Sequence, residues 1–153
     1  MKNKTAILLF IIALSISGCS NVKIRGKLID DVGQHIYETF ANEHQVNITS
    51  SESDKPKKIF YVIDSDEKYD LVFNSDYKID VNYEQQFLIL CSFVSIYNLE
   101  HSLDKLDVSD NVLIIKCKAN TSFGRNWVCA PYQRWCAIKM DVVEYSTIDF
   151  TGE

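Results

Sequence analysis

Phe87-Leu88-Ile89-Leu90-Cys91-Ser92-Phe93-Val94-Ser95-Ile96-Tyr97 is apolar at odd and even positions alike. Successive side chains of a strand point to opposite faces, so a strand of this composition has two faces to bury and belongs in the middle of a covered sheet. Shorter β-branched and aromatic runs flank it. Ile59 to Ile63 reads as a strand and ends at Asp64-Ser65-Asp66, which suits the cap of a short helix starting near Glu67 with Tyr69, Val72 and Phe73 on one face. Ile79, Val81 and Tyr83 alternate with Lys78, Asp80 and Asn82 just ahead of the long run. After it, Leu103, Leu106 to Val108, Val112 to Lys118 and Gln133 to Val142 read as further strands. In the last of these, Cys136, Ile138 and Met140 share one face and Ala137, Lys139 and Asp141 the other.

Toward the N-terminus, Ile29, Val32, Ile36 and Phe40 recur at helical spacing, and the reading there is a short amphipathic helix weakened by Gly33. Val46 and Ile48 then lead into Thr49 to Lys58, a polar, turn-rich loop joining two strands. With only five Gly and two Pro, the expected class is α+β, mainly β: an antiparallel sheet or small sandwich with two short helices, forming a single domain over 29–153.

The chain opens with Lys2 and Lys4, an apolar run from Ala6 to Ile16, and then Ser17-Gly18-Cys19. This is the layout of a secretory signal, and its apolar run falls far short of the ~20 residues of a membrane-spanning helix. Ile16-Ser17-Gly18-Cys19 resembles the lipobox of bacterial lipoproteins. That resemblance implies a signal peptide over 1–18, acylation of Cys19 with chains such as palmitate, and a tether over 19–28 that stands the domain off the bilayer. Each buried CH₂ would contribute ~0.8 kcal/mol of membrane affinity. The expected location is the cell membrane or outer membrane, lipid-anchored on the extracytoplasmic side. The alternative is an ordinary secreted protein with a chance Cys at its cleavage site.

Removal of the two signal lysines leaves fourteen basic residues against twenty-one acidic ones, a net charge of −7. Such a surface repels nucleic acid, which is excluded as a partner.

From Phe60 onward the order of elements resembles the C-terminal domain of the PrcB family, lipoprotein subunits of bacterial surface protease complexes and their uncharacterised relatives. The resemblance is carried by Val62-Ile63-Asp64-Ser65, by the short helix with Tyr69, by Ile79-Asp80-Val81 leading into the long strand, and by Pro131-Tyr132 before Trp135 to Met140. It covers about 60–150. Where family members often carry a Thr-Gly-Gly-Tyr-like turn, Ser95-Ile96-Tyr97-Asn98 stands here without glycine. The resemblance implies a β-rich module that binds or stabilises a protease or another envelope protein without catalysis of its own.

Beyond Cys19, the chain has Cys91, Cys117, Cys129 and Cys136, an even set that permits up to two disulfides in an exported protein. Their reading as buried thiols stands beside it. No tightly spaced pair suits zinc, His35, His44 and His101 lie in no recognisable motif, and Asp64, Asp66, Glu67 and Asp70 lack the spaced ligands and Gly of a calcium loop. No metal, cofactor or catalytic residue is therefore expected.

Arg125, Trp127, Tyr132, Arg134 and Trp135 put both tryptophans and two of the three arginines into one short segment, read mostly as loop. These residue types concentrate at binding hot spots, which makes the segment the expected partner-binding surface. Closure of one end of the core by Trp127 and Tyr132 is the competing reading. The expectation is thus an extracytoplasmic accessory protein that binds a protein partner, with a protease among the candidates. The alternative is a lipoprotein that uses the aromatic segment to bind a small molecule or cell-wall glycan.

Overall fold

The computed structural model describes residues 24–49, 54–120 and 128–152. Its elements in chain order are β1 (Gly26–Ile29), a 3-10 turn (Gly33–His35), α1 (Glu38–Glu43), β2 (Lys58–Ile63), α2 (Asp66–Val72), β3 (Gln86–Tyr97), β4 (His101–Ser109), β5 (Val112–Ala119), β6 (Val128–Asp141) and β7 (Thr147–Gly152). The class is α+β and mainly β. Strands β1-β6-β3-β2 form one antiparallel sheet, and β4-β5-β7 form a second in which β7 runs parallel to β5. The expected signal peptide over 1–18 and Cys19 lie outside the described residues. No helix among those described is long and apolar enough to cross a membrane.

The doubly apolar strand sits where its composition demands, inside the larger sheet between β6 and β2. Its Phe87, Ile89, Cys91 and Phe93 face the second sheet, joined there by Cys136, Ile138 and Met140 of β6 and by Leu113, Ile115, Cys117 and Phe150. Its Leu88 and Leu90 face the other way, onto Val32, Ile36, Phe40, Val72 and Phe73, with Trp135 and Ala137 of β6 alongside. The molecule is therefore three layers deep: the small sheet, the large sheet, and a cover of short helices and irregular chain.

The edges of the two sheets are fastened in register. On one side Lys58 Nζ of β2 donates to the Phe150 carbonyl of β7 at 2.6 Å. On the other, the His101 amide at the start of β4 donates to Asp30 Oδ2 just after β1 at 2.6 Å.

Four local expectations need correction. Gly26 to Ile29 pair with Met140 to Ala137, so the end of the expected tether is a strand of the sheet. The helix expected from Ile29 is only α1, because β1 and the 3-10 turn take its first half; Val32, Ile36 and Phe40 still point inward. The alternating Ile79-Val81-Tyr83 segment forms no strand, and β7 was not foreseen.

Strands β4 and β5 meet at Asp110-Asn111, both in the left-handed region at φ 50° and 64°. Two successive positive φ values match a two-residue hairpin turn to the strands' right-handed twist, and Asp and Asn tolerate them better than other side chains. Asn111→Gly is expected to raise the unfolding free energy by about 0.5 kcal/mol, and Asn111→Val to lower it by ~1 to 2 kcal/mol. Urea midpoints of the three proteins check this, and coincident midpoints would refute it.

Candidate functional site

The segment expected to carry a binding surface is in its described part a strand. Arg125 and Trp127 lie outside the described residues, but β6 begins at Val128, five residues earlier than its sequence pattern indicates. Alternation along the strand then sends neighbouring side chains to opposite faces. Trp135 is buried beneath the helical cover, 6.2 Å from Phe40 between ring centres and close against Gly33. Arg134 is buried too, and only Tyr132 of the three is half-exposed. The expectation of a presented loop is therefore corrected for Arg134 and Trp135: strand pairing fixes their direction, and each finds its partner inside the chain.

Arg134 explains how a guanidinium sits at 5 % side-chain exposure. Its Nε donates to Asp30 Oδ1 at 3.0 Å and its Nη2 to Asp30 Oδ2 at 2.6 Å, a two-pronged charge-assisted pair. Its Nη1 donates to the Tyr132 hydroxyl, which donates in turn to the Tyr97 carbonyl at 3.1 Å. Burial pushes the Asp30 carboxyl up, but hydrogen bonds from Arg134 and the His101 amide, with the guanidinium charge, outweigh it and hold it below its ordinary 3.8. The pair locks structure and leaves little of either group for a ligand.

Three of the four cysteines meet in the core. Cys91 and Cys136 lie directly opposite one another on β3 and β6, and Cys117 approaches Cys136 from the facing sheet. All are thiols, as is Cys129, which lies apart at the outer end of β6 with its Sγ 3.3 Å from the Ile96 carbonyl. The hydrogen bond with Cys136 and burial push the Cys117 thiol up. Contact with Cys117 favours a Cys136 thiolate, but contact with Cys91 and complete burial prevail and push that thiol well up.

The histidines are dispersed. His35 stacks on Tyr77, His44 stacks on Phe40, and His101 opens β4. Among the described residues no three His, Cys, Asp or Glu side chains are placed to hold a metal.

A distinct concavity lies elsewhere, between α2 and the irregular chain that follows it. It is a cleft of about 450 Å³ walled by Tyr69, Tyr77 and Tyr83 with Ile79 and Val81, and rimmed by Asp66, Asp70, Lys78 and Asp80. Helix α2 begins where Ser65 Oγ accepts from the Lys68 amide, and this sets Asp66 and Asp70 one turn apart on the same side. The opposite wall is held by a side chain instead of a strand partner. Tyr69 Oη accepts from the Ile79 amide at 2.9 Å and donates to the Tyr77 carbonyl at 3.2 Å. Lys139 Nζ, from β6, donates to the Asp80 carbonyl at 2.6 Å. The His35 ring lies flat on Tyr77 with centres 3.9 Å apart. Burial, with Asp66 and Asp70 contributing, pushes the Tyr83 hydroxyl up to about 12, so it remains a neutral donor throughout the physiological range.

The sequence hides this cleft, since Asp66 and Asp70 read only as acids without a calcium loop and Ile79 to Tyr83 only as an alternating run ahead of the long strand. The available signal was density: Tyr69, Tyr77 and Tyr83 are three of eight tyrosines and fall within fifteen positions among four aspartates, from Asp66 to Asp80.

Comparison with protein-family models, with curated proteins and with solved structures finds no match.

Two predictions follow from the buried groups. Asp30→Asn is expected to cost ~3 kcal/mol of stability at pH 7, because it leaves the Arg134 charge buried without its counter-charge. A carboxyl whose folded pKa is depressed stabilises the fold fully above its unfolded value and loses that contribution as pH falls through the folded value. The gap between wild type and variant in urea should therefore hold from pH 7 down to about the ordinary 3.8 and close below it; a gap independent of pH would refute the account. Separately, an aromatic disulfide reagent at pH 7.5 should label Cys129 of the folded protein at least ~100-fold faster than Cys91, Cys117 or Cys136, since Cys129 is half-exposed and the other three are buried out of the reagent's reach. Peptide mapping reads the labels, and equal labelling of all four would show the core thiols to be accessible.

Proposed function

We propose that the chain is a lipid-anchored accessory protein of the bacterial cell envelope, a non-catalytic module that binds or stabilises a protein partner. Acyl chains on Cys19 hold it to the membrane on the extracytoplasmic side, and the resemblance to the PrcB C-terminal domain makes a surface protease a partner of the fitting kind. The observation that carries the binding role is the tyrosine-walled cleft beside α2. Half-buried tyrosines offer large rigid contact area at small entropic cost, and their hydroxyls tolerate water before a partner arrives. A cleft already fixed by Tyr69 and Lys139 needs little reorganisation on binding. The described half of the aromatic segment serves this role less well, because Arg134 and Trp135 are committed to the interior.

A photo-crosslinking residue at Asp70 or Lys78 of the full chain, in the native envelope, should yield a discrete protein adduct identifiable by mass spectrometry. The same residue at the exposed Asp149 of β7 should not. Adducts that do not depend on position would refute the cleft as the partner site. The anchor is tested apart: metabolic labelling with a fatty-acid analogue should mark the wild type and spare Cys19→Ala, and equal label on both would overturn it.

A further inference from the structure

The walls and rim of the cleft point to more than a generic contact. An aromatic face carries a negative quadrupole and attracts a cation placed over it, more strongly where water is partly excluded. Tyr69, Tyr77 and Tyr83 line the cleft half-buried, with one face of Tyr77 already covered by His35. Ile79 and Val81 add an apolar strip of the kind that receives the methylene stem of a long charged side chain. Three carboxylates, Asp66, Asp70 and Asp80, stand at the rim against the Lys78 ammonium, and Lys139 Nζ sits on the Asp80 carbonyl, for a local balance of −1. Among the described residues none of the three carboxylates takes part in an ion pair, in contrast to Asp64, which pairs with Lys68 at 2.8 Å. Their field reaches the wall, since Asp66 and Asp70 add to the burial that keeps the Tyr83 hydroxyl protonated. A carboxylate or phosphate ligand would enter against this charge. A neutral sugar could stack on the rings but would leave the rim carboxylates without a counter-charge.

We propose that the cleft takes a lysine or arginine side chain projecting from the protein partner, with its stem along Ile79 and Val81 and its cationic head among the tyrosine rings and rim aspartates. This rests on the reading of the cleft as the partner site. A cleft of about 450 Å³ has room for an extended side chain and its water.

The test uses n-butylammonium and methylguanidinium as stand-ins for the two side chains, titrated into the full chain in detergent micelles. The ring resonances of Tyr69, Tyr77 and Tyr83 report the binding. Saturable shifts with both cations, weakening as salt is raised and absent with n-butanol and N-acetylglucosamine, are expected. The pair Asp66→Asn and Asp70→Asn should weaken cation binding by roughly fivefold to tenfold. Both positions are exposed, so an unchanged unfolding midpoint certifies an intact fold. No saturable shift, or an equal one with n-butanol, overturns the inference; a response to N-acetylglucosamine alone makes the cleft a sugar site and overturns it as well. The adduct captured from Lys78 separates the two readings. If the paired Asn variant captures the partner at wild-type yield, the cationic anchor fails while the cleft remains the partner site. If the cations bind but no position in the cleft gives an adduct, the cation site stands and its assignment to a protein partner falls.

Discussion

A strand that is apolar on both faces has to be covered twice, and most of this architecture is a consequence of that demand on β3. From Phe87 to Phe93 every residue is nearly inaccessible to water. With ~1.5 to 3 kcal/mol for each large apolar side chain removed from water, no arrangement leaving one face open could compete. The two covers differ because the two faces differ. Phe87, Ile89, Cys91 and Phe93 meet a second pleated surface whose own side chains alternate at the same period. Leu88 and Leu90 leave a narrower gap, with Ser92 bonded to Gln133 at its end, and short helical pieces carrying Phe40, Val72 and Phe73 fill it.

Covering a sheet twice leaves its edges to be secured, and here one carboxylate does so across both sheets. Asp30 follows β1, grips Arg134 of β6, and accepts the amide that starts β4. The chain then passes through Asp31, at φ 52°, and continues alongside β6, the Val32 amide donating to the Trp135 carbonyl at 3.1 Å. An aspartate in the left-handed region costs about 1 kcal/mol, which the hydrogen bonds on either side readily offset. This is the physical reason that the arginine of an apparently exposed segment is an interior residue. Its charge has to be met wherever strand alternation sends it, and Asp30 meets it in full.

Strand period, doubled hydrophobicity and a capping serine are local properties, which is why β2, α2, β3, β5 and the inner and outer faces of β6 could be read from residues alone. What could not be read depended on distant chain. Gly26 to Ile29 carry little strand character, and they pair only because β6 needs a second neighbour. Thr147 to Gly152 form a strand because β5 offers an open edge, and Gly152 admits the rings of Phe93 and Phe150 where a Cβ would lie within 2.9 Å of them. Trp135 and Arg134 looked like hot-spot residues because sequence shows residue type and not direction. The cleft was hidden for the same reason: its parts are ordinary singly and acquire meaning only when α2 and residues 77–83 face one another.

The segment 74–85 shows how an alternating run outside both sheets comes to wall a cleft. Ile79, Val81 and Tyr83 have the alternation of a strand and half-bury themselves as one, yet they join neither sheet, and both flanks of β3 are taken, by β2 on one side and β6 on the other. A backbone pressed against a protein surface still has to place its amides and carbonyls. Here the Tyr69 hydroxyl satisfies the Ile79 amide and the Tyr77 carbonyl, Lys139 takes the Asp80 carbonyl, and the Asn74 amide reaches the His35 carbonyl at 2.8 Å. Side chains are longer than the hydrogen bonds of a β-ladder, so a segment tied down by them stands off from the helix it follows instead of packing flush against it. The space left is the cleft, and the groups that secure the backbone are the same aromatic residues that wall it. The Tyr69 hydroxyl holds the backbone that forms the cleft, while Asp66, Asp70 and Asp80 stay exposed around it.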